Sequence, residues 1–141
     1  MSRYFDLHTT VLIVVGHGIL PEEEDRPIAY DLKREVNRRG GTSEGHTAVV
    51  VTDVWLLNNE LGEFFPAIAI GGPGVNALTA QMYEELDIAY SRDQRVFVQV
   101  GTDSKRAALW GMDQTTTREA VDVFVKDGLL ERFLELVWRR A

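Results

Sequence analysis

Four groups of small and polar residues each follow an apolar run of this sequence, and they contain most of the residues that could do chemistry. The groups are Gly16-His17-Gly18, Asp53, residues 71–76 and residues 111–117. A histidine beside a carboxylate can transfer protons, hydroxyl and amide groups can bind a ligand, and glycines let a backbone approach it closely. The pattern therefore predicts one site assembled from several segments of the chain.

Ligand binding is the first role that we predict for these groups. Their glycines would allow close approach of the backbone to a ligand, and their side-chain amide and hydroxyl groups would donate or accept hydrogen bonds. The predicted ligand-binding residues are Gly16, His17, Gly18, Gly71, Gly72, Gly74, Asn76, Gly111, Asp113, Thr115, Thr116 and Thr117.

The glycine segment AIAIGGPGVNA, residues 67–77, leads from a predicted strand into a predicted helix. Gly72-x-Gly74-x-x-Ala77 matches the form of a dinucleotide-binding turn. Pro73 removes one backbone N–H from that turn, and no acidic residue closes the next strand to bind a ribose. We therefore identify no cofactor. This leaves two interpretations of the segment. It binds a nucleotide or other anion at the start of the helix, or it is a purely structural turn.

Acid/base catalysis is the second role, and its candidate residues are His17, Asp53 and Asp113. His17 paired with either aspartate could act on a phosphorylated or glycosidic substrate. The sequence has no cysteine and no G-x-S-x-G motif, which excludes thiol nucleophiles and the usual nucleophile elbow of serine hydrolases. The 3 histidines share no ligand-like spacing, so we predict no metal site.

The elements that would position these residues alternate between strands and helices. Continuous apolar runs predict buried strands at residues 9–16, 47–53 and 66–70. Apolar residues at helical spacing predict helices at residues 26–41 and 75–88. Parallel strands joined by helices bring their carboxyl ends to one edge of a sheet, which is where open α/β sheets bind ligands.

The rest of the chain completes the predicted fold. Residues 94–111 hold two strand-like runs with a short link, which predicts an antiparallel pair. Residues 17–25, HGILPEEED, predict a polar loop with a proline. Thr116 and Glu119 have the spacing of a capping box. We predict a single α/β domain over residues 1–141, with a three-layer, open, mostly parallel sheet of the flavodoxin-like or Rossmann-like type. The 94–111 hairpin supplies one antiparallel strand.

Composition and charge narrow the classes of partner. The formal net charge is −7, and binding of phosphate backbones or anionic lipids needs clustered cations, so we predict neither nucleic acid nor membrane as a partner.

The apolar run at residues 11–15 is shorter than the core of a signal peptide. No stretch approaches the ~20 apolar residues that span a bilayer. We therefore expect a cytoplasmic location.

A partial resemblance to known domains covers about residues 66–126. The stretch IAIGGPGVNALT, residues 68–79, resembles the strand and glycine turn of archaeal S-layer-type domains and of the bacterial cell-wall-binding repeat of the second type. Residues 107–125 are similar to a later part of that pattern, in the order Gly111, Asp113, Thr117, Arg118 and Ala120. The resemblance implies a flavodoxin-like sheet. It also implies a binding role, to anionic wall polymers or within a surface lattice, without catalysis.

Two functions follow from these observations. We favour a non-catalytic α/β module that binds a small anionic ligand or a protein partner at the C-terminal edge of its sheet, because the groups hold many glycines and no matched nucleophile and base. The alternative is a small enzyme that uses His17 with Asp53 or Asp113. The last helix also offers an apolar face for a homodimer, formed by Leu129, Leu130, Phe133, Leu134, Val137 and Trp138.

Overall fold

The computed structural model describes residues 9–40, 46–101 and 105–138 of the chain. The central strands are apolar and rich in β-branched residues, as expected for strands that are covered on both faces. Within the described residues the six strands are β1 (Thr10–Val15), β2 (Thr47–Thr52), β3 (Ala67–Ile70), β4 (Asp87–Arg92), β5 (Val96–Val100) and β6 (Arg106–Gly111).

Helices follow strands β1, β2, β3 and β6. In the same part of the chain they are α1 (Arg26–Gly40), α2 (Asp53–Leu57), α3 (Ala77–Met82), α4 (Gln114–Lys126) and α5 (Leu129–Val137). A π-helical turn, Pro21–Asp25, leads into α1, and a 3-10 turn, Gly62–Phe64, precedes β3. Residues 19–25 are therefore helical, where the sequence predicted a polar loop. The proline at the first position of the turn favours this start of a helix.

The strands form one mixed sheet in the order β2-β1-β3-β6-β5-β4. β2, β1, β3 and β6 are parallel, and β5 is antiparallel to both of its neighbours. The predicted α/β architecture with a mostly parallel sheet is thus confirmed. The chain leaves β1 towards β2 on one side and returns to β3 on the other, so the carboxyl ends of β1 and β3 flank the point where the strand order reverses.

Helices cover both faces of the sheet, because alternate residues of its strands point into two different cores. On β1, Val11, Ile13 and Val15 join a core that includes the buried residues of α1, α4 and α5. Leu12 and Val14 join a second core with α2 and α3. The result is a three-layer arrangement.

Strand β4 occupies part of the segment that the sequence predicted as a helix at residues 75–88. Helix α3 ends at Met82, and β4 begins at Asp87. The side chains of β4 are mostly exposed, so they show no apolar pattern that would indicate a strand. The strand exists because its backbone pairs with β5, with an irregularity in register between Ile88 and Tyr90.

The two C-terminal helices pack on one face of the sheet. The apolar face of α5 that we considered for a homodimer lies largely inside the chain, since Leu130, Phe133, Leu134 and Val137 are buried in the core shared with α4. None of the helices within the described residues is both long and apolar enough to cross a membrane.

Candidate functional site

The carboxyl ends of the four parallel strands β2, β1, β3 and β6 share one edge of the sheet. The part of the glycine segment that follows β3 packs against the end of β1. The contact is close enough that a methyl group on Gly16 would overlap the carbonyl oxygen of Val75. Gly71 has a φ of +110°, a conformation that favours glycine. The groups predicted from the sequence therefore do share one edge, but they form two separate places there.

The first place is a cleft of about 310 Å³ between the ends of β3 and β6, which we call the β3–β6 cleft. Its walls come from the turn before α1, the glycine segment, the end of β6 and the start of α4. Three carboxyl side chains line it, those of Glu24, Asp25 and Asp113, and among the described residues no lysine, arginine or histidine does. Apolar side chains form much of the remaining wall, namely Leu20, Pro73, Val75, Trp110 and Met112.

Asp25 is the most buried ionisable group of this cleft, at 6% exposure. No described residue donates a hydrogen bond to its carboxyl, and Oδ2 lies against Gly71, where an added Cβ would come within 2.8 Å of it. Burial, with a further contribution from the charge of Glu24, raises the pKa of Asp25 to about 6. A buried carboxyl with a perturbed pKa in a cleft is a candidate functional group.

Asp113 lies in the same cleft but in a different environment. It is the N-cap of α4, and its Oδ1 accepts hydrogen bonds from the backbone N–H of Thr116 at 2.9 Å and from the hydroxyl of Thr116 at 2.8 Å. These hydrogen bonds hold the pKa of Asp113 below its usual range. The capping box of α4 is therefore formed by Asp113 and Thr116, and not by Thr116 and Glu119 as the spacing suggested. The cleft thus contains two carboxyls whose pKa values are shifted in opposite directions.

Trp110 forms a fixed part of the wall. Its ring stacks on Phe97 with the centroids 4.4 Å apart, and its Nε1 donates to Oε1 of Gln99 at 2.8 Å. Gln99 is 3% exposed and donates in turn to the carbonyl oxygen of Tyr83 at 2.7 Å. Because each polar atom of this chain of contacts has a partner, the indole is held in one orientation before any ligand binds.

Asn76, which we predicted as a ligand-binding residue, holds the fold together instead. Its side-chain nitrogen donates to the carbonyl oxygens of Val14 and Ile70, at 2.9 Å each, and so joins the ends of β1 and β3. Its Oδ1 accepts from the backbone N–H groups of Leu78 and Thr79 at the start of α3. These four hydrogen bonds leave the amide of Asn76 with no capacity for a ligand.

The second place is the pair formed by His17 and Asp53. Nδ1 of His17 lies 2.9 Å from Oδ1 of Asp53, so the predicted pairing of these two residues is present. Asp53 is fully buried, whereas the side chain of His17 is 61% exposed. Asp53 also accepts from the backbone N–H groups of Val54 and Ala77, at 2.7 Å each. A carboxylate oxygen accepts hydrogen bonds, so the contact orients the imidazole with Nδ1 as the donor to Asp53.

The start of α3 therefore has a different role from the one that the glycine turn suggested. The backbone N–H of Ala77 donates to Asp53, and those of Leu78 and Thr79 donate to Asn76. The first free donors of the helix, which would attract a phosphate, are already bound to side chains of the protein. This arrangement favours a structural turn over a nucleotide-binding one.

The predicted ligand-binding residues divide between the cleft and its surroundings. Those that line the β3–β6 cleft are Gly71, Gly72, Gly74, Gly111, Asp113 and Thr117. Of these, Thr117 uses its Oγ1 to accept from the backbone N–H of Gly111 at 3.1 Å. Those that lie outside its lining are Gly16, His17, Gly18, Asn76, Thr115 and Thr116. His17 contacts Asp53, and Asp113 takes no part in that pair.

Sequence reasoning missed Asp25 and Trp110. Asp25 ends the string PEEED, which has the composition of a solvated loop, and its burial follows only from packing of the turn against the glycine segment. One signal could have indicated Asp25, because it lies four residues after the helix-starting Pro21, on the same face of a helix. Trp110 is the last bulky residue of an apolar run, which indicates a core residue more often than a binding one.

No group of three or more histidine, aspartate or glutamate residues that could hold a metal ion occurs in the part of the chain that the structure describes. Comparison with known proteins gives no further guide, since no protein-family model matches the chain and no curated protein matches it significantly.

Proposed function

We propose that this chain is a non-catalytic α/β module that binds a small ligand in the β3–β6 cleft, at the C-terminal edge of its sheet. The observation that carries the proposal is the carboxyl of Asp25, which is 6% exposed, lines the cleft and has no hydrogen-bond partner among the described residues. Its oxygens keep some contact with solvent, but removing most of the water from a carboxylate costs free energy unless the carboxylate is paired. A ligand that supplies the partner offsets that cost.

The charges of the cleft favour a different ligand from the anion that the sequence suggested. Glu24, Asp25 and Asp113 line the cleft, and an anion placed among them would be repelled. The hydrogen-bond donors at the start of α3 are occupied by Asp53 and Asn76. Ligands that bring their own donors, such as alcohols and amines, complement the carboxyls.

The strand order supports the flavodoxin-like alternative for the fold type. The order begins β2-β1-β3, as in flavodoxin-like sheets, and a Rossmann sheet would place β3 beside β2. Strands β5 and β4 would then be an addition beyond β6. A shared origin with S-layer-type domains over residues 66–126 is a further proposal, and the binding role of those domains is compatible with the one proposed here.

The test of this proposal places a bulky side chain in the cleft. Gly74 lines the cleft, and a Cβ there would meet no atom within 4 Å, so Gly74→Phe should fold normally. We expect at least one compound of a panel of amines, alcohols, sugars, sugar phosphates and carboxylates to raise the Tm of the wild type by several degrees. Thermal shift and calorimetry should show that Gly74→Phe loses this binding.

Ala80→Phe is the matched control, because residue 80 is exposed on α3 and does not line the cleft. It should keep the affinity of the wild type. The proposal fails if no compound of the panel binds the wild type, or if Gly74→Phe binds as tightly as Ala80→Phe does.

A second candidate function rests on the 2.9 Å contact between His17 and Asp53. The buried carboxylate orients the imidazole, and the His17 side chain is largely exposed, which is how a histidine is arranged for acid/base work. A small enzyme that acts on a phosphorylated or glycosidic substrate is therefore the alternative. It is the weaker candidate because His17 is absent from the lining of the β3–β6 cleft.

His17→Ala separates the two candidates. We expect p-nitrophenyl phosphate and p-nitrophenyl glycosides to show no turnover that depends on His17, and ligand binding in the cleft to be unchanged, because the cleft lining excludes His17. Loss of a catalytic acid/base typically lowers the rate by about 10²–10⁴-fold. Turnover by the wild type that drops by such a factor in His17→Ala would establish the enzyme instead.

A further inference from the structure

We infer that the ligand of the β3–β6 cleft is a protonated amine that carries an apolar arm, with the ammonium group at Asp25 and the arm against the apolar wall. The inference rests on the proposed function, because it names the chemical class of the ligand for the same cleft.

The first argument is the charge around Asp25. Glu24 and Asp113 line the same cleft, and the charge of Glu24 acts directly on Asp25. Arg95 lies 3.9 Å from Asp113 and offsets the charge of that carboxylate. Arg26 donates to Glu22 and Tyr30, and no described cation forms an ion pair with Glu24 or Asp25. A cation beside Glu24 and Asp25 is therefore the charge that the cleft lacks.

The second argument is the depth of Asp25. Its Oδ2 lies against Gly71, next to a backbone that only a glycine lets approach so closely. Water competes less with hydrogen bonds at such a buried position, which makes an ionic hydrogen bond stronger there than at the surface. Hydrogen bonds between ionised partners are roughly twice as strong as neutral ones, so an ammonium group should bind here more tightly than a hydroxyl group does.

The third argument is the apolar wall. Leu20 and Met112 line the cleft although they are 52% and 54% exposed, and Val75 and the fixed indole of Trp110 lie beside them. Apolar side chains left open at a cleft are typical of a binding surface. A hydrocarbon arm attached to the ammonium group would cover them, which a small hydrated cation would not do.

Three compounds of equal chain length test the charge directly. Pentylamine, pentanol and pentanoate carry charges of +1, 0 and −1 on a chain of five carbon atoms at pH 7.5. We expect NMR titration of the wild type to show that pentylamine binds at least tenfold more tightly than pentanol, and that pentanoate does not bind. Asp25→Asn should weaken pentylamine binding at least tenfold.

Glu23→Gln is the matched control, since Glu23 is an exposed carboxylate of the same turn that does not line the cleft. It should bind pentylamine as the wild type does. Equal loss in Glu23→Gln and Asp25→Asn would mean attraction by the general surface charge, and would overturn the inference. Unchanged binding in Asp25→Asn would overturn it as well.

The remaining outcomes separate this inference from the proposed function. If pentanol or pentanoate binds as tightly as pentylamine and Gly74→Phe abolishes that binding, the cleft binds small molecules but the ligand class is wrong. If none of the three compounds binds, the inference fails, and the wider panel with Gly74→Phe still decides whether the cleft is a binding site.

Discussion

Asn76→Ala is expected to lower the free energy of unfolding by about 3–5 kcal/mol. Asn76 is 1% exposed, and the substitution would leave the carbonyl oxygens of Val14 and Ile70 and the N–H groups of Leu78 and Thr79 without their partner. The expected loss is large because these groups belong to two strands and a helix. Urea-induced unfolding followed by circular dichroism measures it.

Asn59→Ala is the matched control for this prediction. Oδ1 of Asn59 accepts from the backbone N–H of Leu61 at 2.9 Å, but in an exposed turn, where water can replace the amide. We expect Asn59→Ala to cost below about 1 kcal/mol. An Asn76→Ala variant no less stable than Asn59→Ala would show that the junction of β1, β3 and α3 does not depend on this amide.

Asp25→Asn is expected to act in the opposite direction and to raise the free energy of unfolding at pH 7 by about 3 kcal/mol. The pKa of Asp25 is about 6 in the folded protein, and an unfolded chain has a value near 3.9. The folded state therefore binds this proton more tightly, and ionisation of Asp25 favours unfolding. The stabilisation by asparagine is full above about pH 6 and disappears as the pH falls to about 4.

Other charged groups that face Asp25 do not change the sign of this effect. Glu24 raises the pKa of Asp25 further, so its negative charge adds to the same penalty. Hydrogen bonds from Thr116 hold the pKa of Asp113 below its usual range, which is the opposite direction to the shift of Asp25. Both groups are unaltered by the substitution, so the difference between the two proteins isolates Asp25.

Urea unfolding of the wild type and of Asp25→Asn at pH 4, 5, 6 and 7 checks this prediction. The difference should grow with pH and level off. Glu23→Gln should show no such rise, because Glu23 is exposed. An equal gain at pH 4 and pH 7 would contradict the assigned cause, and so would the absence of any gain at pH 7. A variant that is more stable and yet binds pentylamine less well would link the buried carboxyl to binding.

The sequence by itself predicted those elements whose pattern depends only on their own residues. The continuous apolar runs indicated strands covered on both faces and hence a mostly parallel sheet. β1 and β3 are fully buried as predicted, whereas β2, predicted as buried, lies at the edge of the sheet and is only partly buried. Parallel strands end at one edge of a sheet. From this rule alone the sequence predicts that the groups after β1, β2, β3 and β6 lie at one edge. At that edge the structure forms two places instead of one crevice, since His17 contacts Asp53 while the glycine segment and Gly111 line the β3–β6 cleft.

Other features were decided by tertiary contacts alone. β4 has exposed side chains, and it is a strand because it pairs with β5. The backbone donors of α3 looked free in the sequence, and Asp53 and Asn76 bind them only because folding brings the ends of β1, β2 and β3 together. Asp25 ends an acidic string that would be solvated in isolation, and packing against Gly71 buries it. Local composition sets what a residue can do, whereas burial and partners, which depend on residues far along the chain, decide which of those roles it has.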